Sequence, residues 1–278
     1  MRTIGLHLRI FSDLVATAHQ ALALQLPTFQ CFLMYQETKR PLRPSQKNIQ
    51  QFLVLRQQFK ELFVHGSYWI NLCGVNAEKS LHVLKKELDV AKRCGFSHYI
   101  LHPGSSNGLY EREKGIECLI STLNNLTDHE QDITIVLENT AHGGMSVGGD
   151  FADFVYILER LDYPERIKFC LDTAHAYAFG YDIVTAREDF FKRIEQTIGF
   201  SSLAVIHLND TQESLGLKRD RHEAPGQGNI GIEALQAIAM DERLKHIPLI
   251  LETPQCSLEE QKSIIALIHG WHENKEKE

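Results

Sequence analysis

The feature that most constrains the fold is a repeat. Short apolar, β-branched runs recur at residues 3–7, 28–33, 61–65, 98–102, 133–138, 167–172, 203–208 and 247–252. Between and after them, residues 12–25, 46–59, 77–94, 111–127, 150–161, 185–198, 231–241 and 257–272 carry helical periodicity. Asp150 stands at the start of the fifth of these stretches, and Ser257-Leu-Glu-Glu260 opens the last with a capping-box pattern. No linker rich in Pro, Gly or Ser divides the series. Strict alternation over eight units predicts an α/β fold, a closed (β/α)8 TIM barrel over residues 1–278 as a single domain. An open doubly wound sheet is the alternative, but it would not need eight repeats.

Composition narrows the functional classes. The 43% apolar content suffices for a large core, and 23% charge of mixed sign argues against disorder. No apolar run approaches the ~18 residues of a membrane span, and the chain opens on a strand pattern with no signal-peptide apolar region. Six scattered cysteines without a CxxC pair read as free thiols of a reducing compartment, so the expected location is cytoplasmic, nucleoid-associated if bacterial. The net charge of −7 argues against a protein that coats nucleic acid. Against that stand 14 histidines, and imidazole is the commonest metal ligand.

The active face of such a barrel lies at the C-terminal strand ends. There the third strand carries His65, the fourth His102, the fifth Glu138, the sixth Asp172, the seventh His207 and the eighth Glu252. His175, Asp220 and His222 follow in loops. A single such residue commonly caps a helix or pairs with a neighbour. Six successive strands delivering one each is another matter. Burying four carboxylates and five imidazoles together is costly without cations, and divalent metals remove that cost. Asp172-Thr-Ala-His175 is expected to form a tight turn serving adjacent metals, and the alternation in Asp220-Arg-His222 aims both side chains one way. Nitrogen and oxygen ligation without thiolate favours Zn2+, with Mn2+ or Fe2+ as substitutes. Nine ligands suit three ions joined by a bridging carboxylate, an arrangement fitted to phosphoryl transfer.

Longer motifs surround these positions. They are His65-Gly-Ser-Tyr-Trp-Ile-Asn-Leu72, Leu101-His-Pro-Gly104, Val136-Leu-Glu-Asn-Thr-Ala141, Cys170-Leu-Asp-Thr-Ala-His-Ala-Tyr-Ala-Phe-Gly-Tyr-Asp182, His207-Leu-Asn-Asp210, Asp220-Arg-His222, Gly226-Gln-Gly-Asn-Ile-Gly231 and Leu251-Glu-Thr-Pro254. With them the chain resembles the endonuclease IV family of zinc-dependent AP (apurinic/apyrimidinic) endonucleases, which are barrels with a trinuclear zinc site. The resemblance implies that His65 and His102 hold a first zinc and that Glu138 bridges to a second, completed by Asp172, His207 and Glu252. His175, Asp220 and His222 would hold the third. It further implies hydrolysis of the phosphodiester 5′ to an abasic site in duplex DNA. Glu138 and Glu252 are the catalytic carboxylates, and which of them accepts a proton stays open. The implied protein is a monomer that binds DNA, with no membrane and no nucleotide cofactor.

The likeness weakens in the DNA-reading loops. No glycine pair follows His7, Met34-Tyr-Gln-Glu-Thr-Lys-Arg40 replaces the usual Asn and Arg, Gln212 stands where a lysine is usual, and His142 takes a common glycine position. Tyr68 and Trp69 match the position where relatives insert bulky side chains into the duplex; otherwise they pack over the barrel mouth. Lys39, Arg40, Arg43 and Lys47 form a basic cluster on the active face, and Lys218, Arg219 and Arg221 surround Asp220, so both groups are candidate phosphate contacts. His7 is expected to hydrogen-bond beneath the metals. Cys31 and Cys170 read as small core residues. A metal-dependent sugar isomerase or epimerase is the alternative, using Glu138, Asp172, His207 and Glu252 on a single ion, but it leaves five of the nine residues without a purpose. A metal-stabilised protein that grips damaged DNA without cutting it is a third reading. The Gly226–Gly231 segment lacks the glycine spacing of a dinucleotide fingerprint.

Overall fold

The structure is a computed structural model and describes residues 2–35, 38, 40–109, 111–129 and 132–275. Eight parallel strands close on themselves: β1 (Ile4–His7), β2 (Thr28–Phe32), β3 (Phe63–His65), β4 (His98–Leu101), β5 (Thr134–Glu138), β6 (Ile167–Asp172), β7 (Leu203–His207) and β8 (Leu249–Leu251). Around the ring the order is β1-β8-β7-β6-β5-β4-β3-β2. This is the TIM barrel that the repeat predicts. The strands are buried on both faces, which explains why they read as near-continuous apolar runs.

Helices α1 (Leu14–Ala23), α2 (Gln46–Arg56), α3 (Ala77–Arg93), α4 (Arg112–His129) and α5 (Phe151–Leu158) follow the first five strands. Two further helices, α6 (Thr173–Phe179) and α7 (Arg187–Thr197), follow β6, and α8 (Ile232–Ala239) and α9 (Leu258–Lys275) complete the ring. Short polar side chains set the starts of α1, α2, α5 and α9. Asp13 accepts from Ala16 N at 2.8 Å, Ser45 from Asn48 N at 3.2 Å and Asp150 from Ala152 N at 3.0 Å. At α9 the capping box forms in both directions, Glu260 N donating to Ser257 Oγ and Ser257 N to Glu260 Oε2.

One departure matters for the site. The tight turn expected over Asp172–His175 is the first turn of α6, with Asp172 as its cap: its Oδ1 accepts from His175 N at 2.7 Å. Among the described residues no helix is long and apolar enough to cross a membrane. All six cysteines are free thiols, and Cys31 and Cys170 are buried.

Candidate metal centre

Inside the barrel, Phe63, Ile100, Val136, Cys170, Val205 and Ile250 form a buried cluster with one side chain from each of β3 to β8. Each contributes on the order of 2 kcal/mol by leaving water. Gly5 of β1 sits against this layer, where a Cβ would lie 2.6 Å from Thr28 O and 2.7 Å from Ile250 Cδ1. Only glycine fits there.

Side chains alternate along a strand, so the residue two positions on faces the same way one level higher. Those positions are His65, His102, Glu138, Asp172, His207 and Glu252. A hydrophobic plug therefore carries a ring of imidazoles and carboxylates at the barrel mouth. The strand period alone produces the convergence.

Glu138 is the hub. Fully buried, its Oε2 lies 3.0 Å from His65 Nε2 and 3.2 Å from His102 Nε2, while Oε1 lies 2.8 Å from His207 Nδ1. His207 Nδ1 also lies 3.3 Å from Glu252 Oε2 and 3.7 Å from Asp172 Oδ2. A third group stands beside these. His175 Nε2 is 3.2 Å from Asp220 Oδ1 and 3.3 Å from His222 Nε2, and His222 Nε2 is 3.3 Å from the same Asp220 oxygen. The potential ligand atoms of Asp172, His175 and His222 lie within 4.8 Å of one another. Asp172 thus touches both the second and the third group, where the sequence reading assigned it to the second alone. All nine expected residues converge.

Hydrogen bonds orient the rings. His65 Nδ1 donates to Gly66 O and His175 Nδ1 to Asn139 O, both at 2.8 Å, which turns each Nε2 lone pair into the mouth. His207 is reversed: Gln30 Oε1 accepts from its Nε2 at 2.8 Å and Nδ1 faces the carboxylates. Three amides brace the acids. Gln30 Nε2 donates to Glu252 Oε1 at 2.5 Å, and Asn209 Nδ2 donates to Asp172 Oδ2 at 2.6 Å. Asn139 brackets the Asp172 backbone, accepting from its N at 2.7 Å and donating to its O at 3.0 Å. Asn139 and Asn209 lie within the Val136–Ala141 and His207–Asp210 motifs, whose expected roles fell to their neighbours, and Gln30 lies outside every motif. Gln30 had a signal, an amide in the middle of an otherwise apolar strand.

The electrostatics are those of an acid cluster matched to imidazoles. Burial alone would raise the Glu138 and Glu252 carboxyls, yet His207 and the other imidazoles hold both well below the ordinary value of 4.5. Burial would equally lower His175, but Asp172, Asp220 and Glu138 raise it well above 6.5. In each ion pair of these carboxylates among the described residues the partner is an imidazole, not Lys or Arg. Protons on the rings play the part that divalent cations can take over. The donor set fits such ions: mixed nitrogen and oxygen, tautomers fixed from behind, and donor atoms converging at 2.8–3.7 Å separations.

A cavity of about 230 Å³ opens beside the cluster, lined among others by His65, Tyr68, Asn71, His102 and His142. Tyr68 is 70% exposed, with its ring 5.1 Å from Phe32 and 5.9 Å from His65; Trp69 next to it is 61% exposed. Tyr68 stands at the rim of this cavity, whereas Trp69 lines a separate groove with Leu33, Pro41, Arg43 and Val90. Arg40 is exposed on a short hairpin opposite Tyr35, and Arg221 is exposed between Asp220 and His222. Lys39 lies outside the described residues. His7 meets Glu252 Oε1 at 3.1 Å and Gln30 Nε2 at 2.8 Å, below the cluster as expected. His142 bonds Lys218 O at 3.2 Å, tying the β5 loop to the segment that carries Asp220.

Comparison with known proteins agrees with this architecture. The family model for xylose isomerase-like TIM barrels matches residues 20–271. A probable endonuclease 4 of Akkermansia muciniphila is 32% identical over 92% of this chain and 94% of its own length. An apurinic-apyrimidinic endonuclease of Caenorhabditis elegans is 32% identical over 95% of this chain and 69% of its own. The crystal structure of endonuclease IV from Thermus thermophilus superposes with a TM-score of 0.86 at 31% identity, covering 99% of this chain and 100% of that one. The chain belongs to the endonuclease IV family, within the xylose isomerase-like TIM barrels.

Proposed function

We propose that this protein is an AP endonuclease that hydrolyses the phosphodiester 5′ to an abasic site in duplex DNA. On this reading the nine side chains hold three zinc ions, with manganese or iron as substitutes. The observation that carries it is the hub at Glu138, whose two oxygens join the His65–His102 pair to the His207 group. The relatives' names, endonuclease 4 and apurinic-apyrimidinic endonuclease, supply the substrate class. Bound divalent ions would supply Lewis acidity to the phosphate and to the attacking and leaving oxygens.

The protein's own residues do the rest. His65, His102, Glu138, Asp172, His207 and Glu252 would hold the first two ions, and His175, Asp220 and His222, with Asp172 in reach, would hold the third. One of the two carboxylates, Glu138 or Glu252, would take the proton of the attacking water. The water oxygen bonds to phosphorus, the bond from phosphorus to the 3′ oxygen breaks, and a proton returns to that oxygen. The products are a 3′-hydroxyl and a 5′-deoxyribose phosphate. Tyr68 at the rim, with Trp69 next to it in sequence, would fill the stack that an extruded abasic nucleotide leaves, and Arg40, Lys39 and Arg221 would contact phosphate. An abasic nucleotide has no base to unstack, so turning it into the mouth costs less than turning an intact one.

The test is incision of a duplex bearing one abasic analogue by the metal-loaded protein. Cleavage 5′ to the analogue leaving a 3′-hydroxyl, stopped by chelator, is the expected result. Full metal content without incision would overturn the proposal. Ketose epimerisation would then favour the sugar enzyme, and tight binding of the uncut duplex would favour a damage-binding protein.

A further inference from the structure

Two of the three side chains assigned to the third ion, Asp220 and His222, come from the segment after β7 and not from a strand end. Its regular pairing is slight: Asp210 faces Glu223 and Thr211 faces His222 in a two-residue antiparallel ladder. A side chain supplies what backbone pairing does not. Asp210 is fully buried, and its carboxylate accepts five amide N–H bonds. Oδ2 takes those of Gly226, Gly228 and Gly231 at 3.0, 3.1 and 3.3 Å, and Oδ1 takes those of Thr211 and Ile230 at 2.8 and 3.0 Å. The glycine-rich segment is wrapped around one acid. A Cβ on Gly228 would collide with Asp210 Oδ1 and with Thr211 O. Thr211 closes the wrap from the other side, its Oγ1 donating to Arg221 O at 2.8 Å and its carbonyl accepting from Asn229 N at 2.7 Å.

We propose that Asp210 is a positioning residue for the third metal. Its carboxylate fixes Gly226–Gly231, and this anchors the strand paired with Asp210 and Thr211, which brings Asp220 Oδ1 and His222 Nε2 to 3.2 and 3.3 Å from His175 Nε2. The role demands a carboxylate, because every partner is a donor and an ionised carboxylate only accepts. An asparagine would point two N–H donors at amides that have nowhere else to turn. The residues expected to hold the other two ions come from strand ends, and His222 of this segment reaches only Asp172 and Glu252 among them, at 3.6 and 3.7 Å, so the effect falls first on one ion of the three.

This inference rests on the trinuclear reading of the site, and the experiment separates the two. Metal content is measured on gel-filtered wild type, Asp210→Asn and Thr211→Val, together with chelator competition for zinc and with kcat and KM on an abasic duplex. Wild type holding three ions and Asp210→Asn holding two is the expected result, the third ion binding about 10- to 100-fold more weakly. Its kcat falls with KM little changed, and added free zinc restores activity. Thr211→Val, which keeps Asp210 but frees the Arg221 carbonyl, weakens the same ion by a smaller factor and decides the matter if Asp210→Asn does not fold. Asp210→Asn that binds three ions with wild-type affinity, loses all three together while folded, or is not rescued by zinc overturns the inference. So does Thr211→Val with unchanged third-ion affinity. Wild type that never holds three ions overturns the reading beneath it.

Discussion

His207 Nδ1 lies 2.8 Å from Glu138 Oε1, so a side chain from β7 meets one from β5 across the strand between them. Asp172, from that intervening strand, sits 3.7 Å from the same nitrogen. Three strands thus share one point, and an ion placed there has ligands from all of them.

Glu138→Gln tests that point. Gln keeps the shape but loses the charge that balances His65, His102 and His207. Incision should fall by more than about 10³-fold, with the circular dichroism spectrum unchanged. Near-normal activity would remove the bridging role.

Gln30→Leu tests the support behind the cluster. It removes the acceptor for His207 Nε2 and the donor to Glu252 Oε1. Metal affinity is predicted to weaken by about 10- to 100-fold, as when the partner that orients a ligand is lost. Equilibrium zinc competition reads the effect; wild-type affinity would show that Gln30 only fills space.

Much of this site is legible in the sequence, for a physical reason. A strand has period two, so polar residues at the ends of six apolar runs must share a face and a level once the barrel closes. The supports are not legible in the same way. Asp210 acts on backbone amides, which every sequence supplies, and nothing in its neighbours marks it as buried. Seven residues are too few for helical periodicity, so α6 reads as a turn, although Asp172 at its head is a good cap. Gln30 carried a signal, but a lone amide in a strand does not say what it will face.

Trp69→Ala tests the groove next to Tyr68. The side chain is 61% exposed and lines that groove with residues of α3, so its loss should leave metal content and fold unchanged. KM for an abasic duplex is predicted to rise about tenfold, within the range for losing one aromatic–base contact. An unchanged KM would place Trp69 outside the DNA path.

Glu87 gives a pH signature on α3, where the charge of His65 also reaches it. It is buried on α3, Tyr99 Oη donates to its Oε2 at 2.5 Å, and burial raises its carboxyl above the ordinary 4.5 against the pull of Tyr99 and Ser67. A carboxyl raised on folding adds stability below its unfolded value of 4.5, and that stability is lost as pH rises through the folded value. Glu87→Gln cannot ionise. Its stability relative to wild type should therefore increase from about pH 5 to pH 8 in urea unfolding. A difference that does not change with pH would contradict the assignment.

The most direct test of the central claim is the number of divalent ions on the folded wild-type protein, read by native mass spectrometry after removal of free metal. Nine converging side chains with a shared Glu138 predict three ions per chain. A stoichiometry of one, with the other histidines and carboxylates left unliganded, would contradict the account.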